Sequence, residues 1–240
     1  MFKKLVSKLM PAKFIQKLKD DLGVPSQRKS LQSLKKLGFS PNYVLEIGAY
    51  EGNWAIEFNQ IFPDSKIMMI EGQLQKQEIL LQRKKQLPNS EVKIALLGAE
   101  NKSVEFNIYE TASSVFKEDN ETGASIQEIE LQLLDDILSP TAFYKPDFIK
   151  IDTQGFELEI LKQAAKTLQF TKAVLLEVSF LNIYKGAPLA AEIIAFMEKN
   201  NFVIYDICSL MRRPYDKALF QSDFLFLQKD FYLRTSTRWA

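Results

Sequence analysis

Val44-Leu45-Glu46-Ile47-Gly48-Ala49-Tyr50-Glu51-Gly52-Asn53-Trp54 is the stretch that decides how this chain folds. An apolar, β-rich run over 43–47 ends on a glycine, and helical spacing then runs over 53–62 and stops before Pro63. A strand that turns on glycine into a helix is the opening half of a βαβ unit. Gly48 permits the tight turn and a close backbone approach to a ligand. Gly52 lets the helix start pack against the strand, so that the helix N-terminus points at whatever binds above it. The spacing is E-x-G-x-x-x-G. Nicotinamide enzymes prefer G-x-G-x-x-G, whose middle glycine makes room for pyrophosphate. Tyr50 takes that place here, so the turn favours a nucleoside without phosphates.

The same alternation repeats outward. Strands are expected over 66–70, 92–97, 147–151, 173–178, 203–207 and 223–227, and helices over 27–37, 74–87, 156–168 and 189–200. Residues 98–146 break the rhythm: strands over 104–109 and 126–131 flank a polar, acidic loop, and a short helical turn follows at 134–138. That segment reads as an inserted β-hairpin, its long loop either a gate to the acceptor site or a solvated connection. Repeated strand–helix units predict a doubly wound, mostly parallel α/β sheet with right-handed crossovers. Ligands then sit beyond the carboxyl ends of the strands.

Four strands finish near a carboxylate: Glu46, Glu71, Asp152 and Glu177. Buried parallel strands are normally apolar, and a buried carboxylate without a partner is costly. A ligand rich in hydroxyls and cationic groups would supply the partners. Glu71 follows Gly52 by nineteen residues and closes the second strand, the place from which an acid holds ribose hydroxyls.

Composition narrows the chemistry. The 240 residues are 46% hydrophobic and 25% charged, which suits a soluble globular domain with a core sufficient by itself. The chain has no histidine and one cysteine, Cys208. Ser-His-Asp and Cys-His catalysis, His-containing zinc sites and an internal disulfide are therefore excluded, and any metal site would be oxygen-ligated. A general base has to be Asp, Glu, Lys, Tyr or a water they hold. Residues 1–40 carry ten Lys/Arg against two Asp, and the remainder carries twenty-one against twenty-eight acids. The basic segment, with an amphipathic stretch over 2–19 broken by Pro11, reads as a helical extension (1–40) before the main domain (41–230). It is either a solvated helix packed on the domain or a peripheral contact with an anionic membrane or substrate. With no secretory signal and no long apolar window, the expected location is cytoplasmic.

Lys150-Ile151-Asp152-Thr153-Gln154-Gly155-Phe156-Glu157-Leu158-Glu159-Ile160-Leu161 resembles the fourth-strand motif of the FkbM methyltransferase family, K-I-D-[VT]-[EQ]-G-x-E-x-x-[VIL]-L. The resemblance spans residues 43–228 and takes in Glu46-Ile47-Gly48-Ala49, Leu134-Asp135-Asp136-Ile137-Leu138 and Leu176-Glu177-Val178. It implies the Rossmann-like class I methyltransferase sheet of seven strands with the last one antiparallel, S-adenosyl-L-methionine as cofactor, and O-methylation of a sugar or small molecule. By position, Glu46, Gly48, Ala49, Tyr50, Gly52 and Asn53 would line the cofactor. Glu71 and Gly72 would hold the ribose, Ala95 and Leu96 would flank the adenine, and Asp152 would lie near the transferred methyl group. Tyr50 stands where the family commonly has Asn, and Gln154 where it more often has Glu.

A hydroxyl acceptor needs a base, and Asp152 is the expected one, with Glu177 and Glu157 as alternatives. Asp152 could instead cap the helix that follows. Arg212, Arg213 and Tyr215 are candidates for an anionic acceptor group. The rival readings are a nicotinamide-dependent sugar oxidoreductase, which lacks its Tyr-x-x-x-Lys pair here, and a methyltransferase-like binding protein without turnover. Nucleic acid is not an expected partner, because the main domain is net acidic and no Asn-Pro-Pro-Tyr-like motif follows the fourth strand.

Overall fold

Strand β1 (Tyr43–Ile47) runs through the middle of the main sheet, as its uninterrupted burial requires. The computed structural model describes residues 11, 14, 18, 19, 21–108, 125–182, 184–236 and 239. Most of the 2–19 stretch, and the acidic loop over 109–124, lie outside the described residues. Helix α1 (Gln27–Lys36) precedes β1. After it come α2 (Asn53–Ile61), β2 (Lys66–Glu71), α3 (Gln77–Gln86), β3 (Ser90–Ile94) and β4 (Leu96–Leu97). The hairpin β5 (Ser103–Ile108) and β6 (Ser125–Gln132) follows, then α4 (Leu134–Leu138), β7 (Phe148–Ile151), α5 (Glu157–Lys162) and α6 (Ala165–Phe170). The chain continues through β8 (Ala173–Ser179), α7 (Ala190–Lys199), β9 (Phe202–Ile207), β10 (Met211–Arg212) and β11 (Leu219–Gln228).

The sheet order is β3-β2-β1-β7-β8-β11, and both β9 and the two-residue β10 pair with β11. The pairs from β3 to β8 are parallel. β11 is antiparallel to all three of its neighbours. This is the mostly parallel, doubly wound sheet expected from the sequence, with its last strand reversed; β10 adds an eighth strand. The expected insertion is present too: β5 and β6 pair antiparallel, and β6 pairs with β4 to make a separate three-stranded sheet.

Alternation of side chains sorts the core onto the two faces of the sheet. Val44, Met69, Phe148, Leu175 and Leu225 pack with Leu31 and Leu34 of α1 and Phe58 of α2. Leu45, Ile70, Ile149, Leu176 and Phe226 pack with Leu134, Ile160, Ile193 and Met197 on the other face. Two residues beyond Val44 and Phe148 on their strands come Glu46 and Lys150, directly opposite each other in the register of β1 and β7. The first face is therefore apolar along most of its length and turns polar at the carboxyl edge.

Two expected elements are divided. The strand expected over 92–97 breaks at Ala95, whose N–H donates to the Glu71 carbonyl at the end of β2; β4 then leaves to join the hairpin. The helix expected over 156–168 is α5 and α6, separated at Gln163 and Ala164. Asp135 of α4 accepts from the backbone N–H groups of Lys166 and Thr167 and from the Thr167 hydroxyl. A carboxylate from 31 residues upstream thus satisfies the first turn of α6 and starts a new helix there. No helix among the described residues is long and apolar enough to cross a membrane.

Candidate active site

The cleft lies where the sequence placed it, at the carboxyl ends of β1, β2, β3 and β7. Glu46, Gly48, Ala49, Tyr50, Asn53, Glu71, Gly72, Ala95, Leu96 and Asp152 all line it. Three expected site residues do not. Gly52, at φ +69° before α2, faces the protein interior: a Cβ there would lie 2.9 Å from Met69 Sδ and 3.2 Å from Leu80 Cδ2. It serves helix packing. Glu157 and Glu177 also lie outside the lining.

Backbone geometry shapes the floor. Gly48 has φ +76°, and a Cβ on it would sit 1.8 Å from the Asp152 carbonyl oxygen. The close approach that this glycine permits is to the end of β7. Tyr50 also has positive φ, +50°, where a non-glycine residue costs roughly 1–2 kcal/mol. Two contacts hold it: its N–H donates to Glu71 Oε2 at 2.7 Å, and the Lys76 ammonium sits 3.6 Å from the centre of its ring. Asn tolerates this conformation better than most side chains, Tyr among them.

Electrostatics divide the cleft into three parts. Glu71 Oε1 accepts from the Gln73 N–H at 2.9 Å while Oε2 takes Tyr50, and the Gly72 N–H also faces the carboxylate. Burial raises the Glu71 carboxyl above its ordinary range, opposed by those backbone N–H groups. Glu46 is 1% exposed. Its Oε2 is the one fully buried side-chain oxygen or nitrogen among the described residues that has no hydrogen-bond partner. Burial pushes this carboxyl up to about 8, with Lys150 opposing and Asp152 and Glu71 adding to the rise. Beyond Glu71, an apolar slot is walled by Gly72, Ala95, Leu96 and Phe106.

The third part centres on Asp152. Its Oδ2 accepts from Lys150 Nζ at 3.1 Å, and its Oδ1 from Gln154 Nε2 at 3.0 Å. Asp152 therefore does not cap the helix after it. Burial pulls the Lys150 ammonium down, but Asp152 and Glu46 outweigh that and leave it above its ordinary value. Gln154, at φ +55°, also donates to Glu177 Oε2 at 3.2 Å and accepts from the Tyr184 hydroxyl at 2.6 Å. Burial, with Asp152, Glu157 and Asp223 nearby, raises Glu177 well above the carboxylate range. Glu157 Oε1 accepts from the N–H groups of Thr153 and Gly155 and from the Thr153 hydroxyl. Its carboxylate shapes the loop after β7, and burial pushes it up to about 7.

Several lining residues escaped the sequence reading. Trp54, Gln73, Phe106, Thr153 and Phe156 all face the cleft, as does Gln154 of the fourth-strand motif. Phe106 arrives from the hairpin, and no local pattern announces that. Trp54 follows the glycine turn by two residues, so its position in the first helical turn was the available signal. Arg212 and Arg213, considered for an anionic acceptor, are engaged locally. Arg213 forms a bidentate pair with Asp216, and Arg212 donates to the Lys217 carbonyl.

The cleft combines an orphaned carboxylate suited to a cation, an acid suited to paired hydroxyls, and an apolar slot suited to a flat ring. Solved structures similar to this fold include methyltransferases. The precorrin-6y C5,15-methyltransferase of Geobacter metallireducens superposes with a TM-score of 0.50 at 14% identity, covering 84% of this chain and 87% of that one. For the fibrillarin pre-rRNA processing protein of Methanococcus jannaschii the values are 0.50 and 15%, covering 78% and 66%. At such identities the likeness is one of fold. No curated protein matches the sequence. The FkbM methyltransferase domain matches residues 46–204, which run from the orphaned Glu46 through β7 and β8 into β9. That match spans well over half of the sequence, and the chain belongs to the FkbM methyltransferase family.

Proposed function

We propose that this methyltransferase uses S-adenosylmethionine and places the methyl group on a hydroxyl oxygen of a sugar or another small molecule. The observation that carries the reading is Glu46 Oε2, buried and without a hydrogen-bond donor inside the cleft. A buried polar atom of this kind is costly unless a ligand completes it. The ammonium at the amino-acid end of S-adenosylmethionine is such a donor. The carboxylate of Glu71 suits the ribose hydroxyls. The slot at Ala95, Leu96 and Phe106 suits the adenine.

When bound, the cofactor supplies an electrophilic methyl group on a positively charged sulfur. The residues of the chain supply alignment and proton removal. A hydroxyl is a weak nucleophile until its proton is taken, and without histidine that task falls to a carboxylate. Asp152 fits it. Its side chain is 32% exposed in the cleft, and its two oxygens are oriented by Lys150 and Gln154. The O–H proton of the acceptor passes to Asp152 as the oxygen takes the methyl group. Lys150, a cation that faces Glu46, Asp152 and Glu177 alike, balances the charge there.

Thermal unfolding with S-adenosylhomocysteine and with NADH, run in parallel, tests the reading. A ligand at 100 times its dissociation constant adds about 2.7 kcal/mol, on the order of 5–10 °C for a domain of this size. A shift with S-adenosylhomocysteine alone is expected. A shift with NADH alone would overturn the proposal in favour of an oxidoreductase.

A further inference from the structure

Gln154 occupies a place that its side-chain chemistry fits and its backbone does not. Its φ of +55° lies in the left-handed region that non-glycine residues seldom adopt. The surroundings make up for that. One Nε2 hydrogen goes to Asp152 Oδ1 at 3.0 Å and the other to Glu177 Oε2 at 3.2 Å, while Oε1 accepts from the Tyr184 hydroxyl at 2.6 Å. Tyr184 is 3% exposed. The orientation of the amide follows from its partners, since carboxylates accept and the phenol can donate. Gln221 Nε2 adds a second donor to Glu177 Oε2 at 2.8 Å.

We propose that Gln154 is a positioning residue for methyl transfer: its neutral amide clamps the carboxylates of Asp152 and Glu177 to each other and aims Asp152 at the acceptor hydroxyl. This rests on the function proposed above, in which Asp152 takes the acceptor proton. In this chain the amide supplies two donors that a carboxylate, the residue more frequent at this motif position, would not. Charged groups facing the two carboxylates among the described residues include Lys150, Glu46, Glu157 and Asp223. Lys150 reaches Asp152 directly, whereas Glu177 depends on amides. An acid at 154 would bring a third carboxylate between two others. An apolar residue would leave both without their shared donor.

Three variants and two measurements test the clamp: Gln154→Met removes the donors at similar volume, Gln154→Glu replaces them with charge, and Tyr184→Phe removes the hydroxyl that orients the amide. The first measurement is the carboxyl titration of Asp152 and Glu177 by 13C NMR. Losing a donor to the charged form raises its proton affinity. In Gln154→Met both groups should bind a proton about tenfold more tightly than in the wild type, one unit of pKa. In Gln154→Glu the rise should be larger, and in Tyr184→Phe smaller but in the same direction. Glu71, on the other side of the cleft, should titrate unchanged throughout. The second measurement is the thermal shift with S-adenosylhomocysteine, which every folded variant should retain. Unaltered titration of Asp152 and Glu177 in the variants would overturn the clamp while leaving the cofactor reading intact. If substitution at 154 prevents folding, Tyr184→Phe decides by the same criterion. A wild-type protein that S-adenosylhomocysteine does not stabilise would remove the function beneath the clamp, and with it the catalytic role given to Gln154.

Discussion

Glu46 and Lys150 face each other across β1 and β7, yet the lysine gives its hydrogen bond to Asp152 and leaves Glu46 Oε2 unpartnered. Charge on Glu46 is therefore unfavourable until a ligand arrives, and the carboxyl keeps its proton instead. With its carboxyl raised to about 8, the folded state holds a proton that the unfolded chain releases near 4.5. Between those values the unfolded state binds fewer protons, so stability falls as pH rises, by up to about 1.4 kcal/mol per pH unit. Glu157, raised to about 7, acts in the same direction. No histidine is present to offset them. The ligand-free protein is expected to melt at a higher temperature at pH 5.5 than at pH 8, and Glu46→Gln to remove part of that slope. Calorimetric scans over this range check both.

The same residue links pH to ligand binding. An ammonium placed on Glu46 favours the carboxylate, so binding near pH 7 should release up to one proton. Affinity for S-adenosylhomocysteine should then strengthen as pH rises toward 8, by as much as tenfold per unit, and Glu46→Gln should bind more weakly and with a flatter profile. Isothermal titration in buffers of different ionisation enthalpy measures the released proton directly.

Gly48→Ala should be among the most damaging single substitutions in the chain. The added carbon would fall 1.8 Å from the Asp152 carbonyl, a backbone atom with nowhere to go, at a φ of +76°. A loss of about 4 kcal/mol or more is expected, a large part of the stability of an ordinary domain. Gly23→Ala is the control. Its φ is +63° and nothing lies within 4 Å of the added carbon. Its cost should stay near the 1–2 kcal/mol of a left-handed residue. Urea unfolding of the two variants separates steric conflict from conformational preference.

Asp152→Asn should abolish turnover, with loss of at least a hundredfold in kcat, while S-adenosylhomocysteine binding changes little. The buried Lys150 ammonium loses its nearest anion, so a stability loss of about 3 kcal/mol should accompany the change. Methyl transfer to an acceptor and ligand-induced thermal shift, measured on one preparation, distinguish the two effects. Full activity would remove Asp152 from its role.

Much of this was legible in the residues because buried parallel strands and helix faces leave periodic marks. Tyr43–Ile47 and Leu134–Leu138 were read to the residue. The row of carboxylates was legible as well, since a charge at the end of an apolar run stands out. What escaped depends on contacts distant in sequence. The division between α5 and α6 has no glycine or proline to mark it, because the capping group is Asp135. The positive φ of Tyr50 and Gln154 goes with partners distant in sequence, Glu71 for the first and Glu177 and Tyr184 for the second. The polar partners of Gln154, from β8 and from Tyr184, converge only once the sheet has formed.

The hairpin carries a consequence for how this fold diversifies. Phe106 reaches the cleft from a three-stranded sheet that shares no strand with the main one. The apolar wall at Phe106 and the floor of the cleft thus come from different sheets that meet in one hydrophobic core. A graft exchanging residues 98–132 for those of another family member would replace Phe106 while β1, β2 and β7 kept their partners in the main sheet. Such an exchange would change one wall of the cleft and leave Glu46, Lys150 and Asp152 in place.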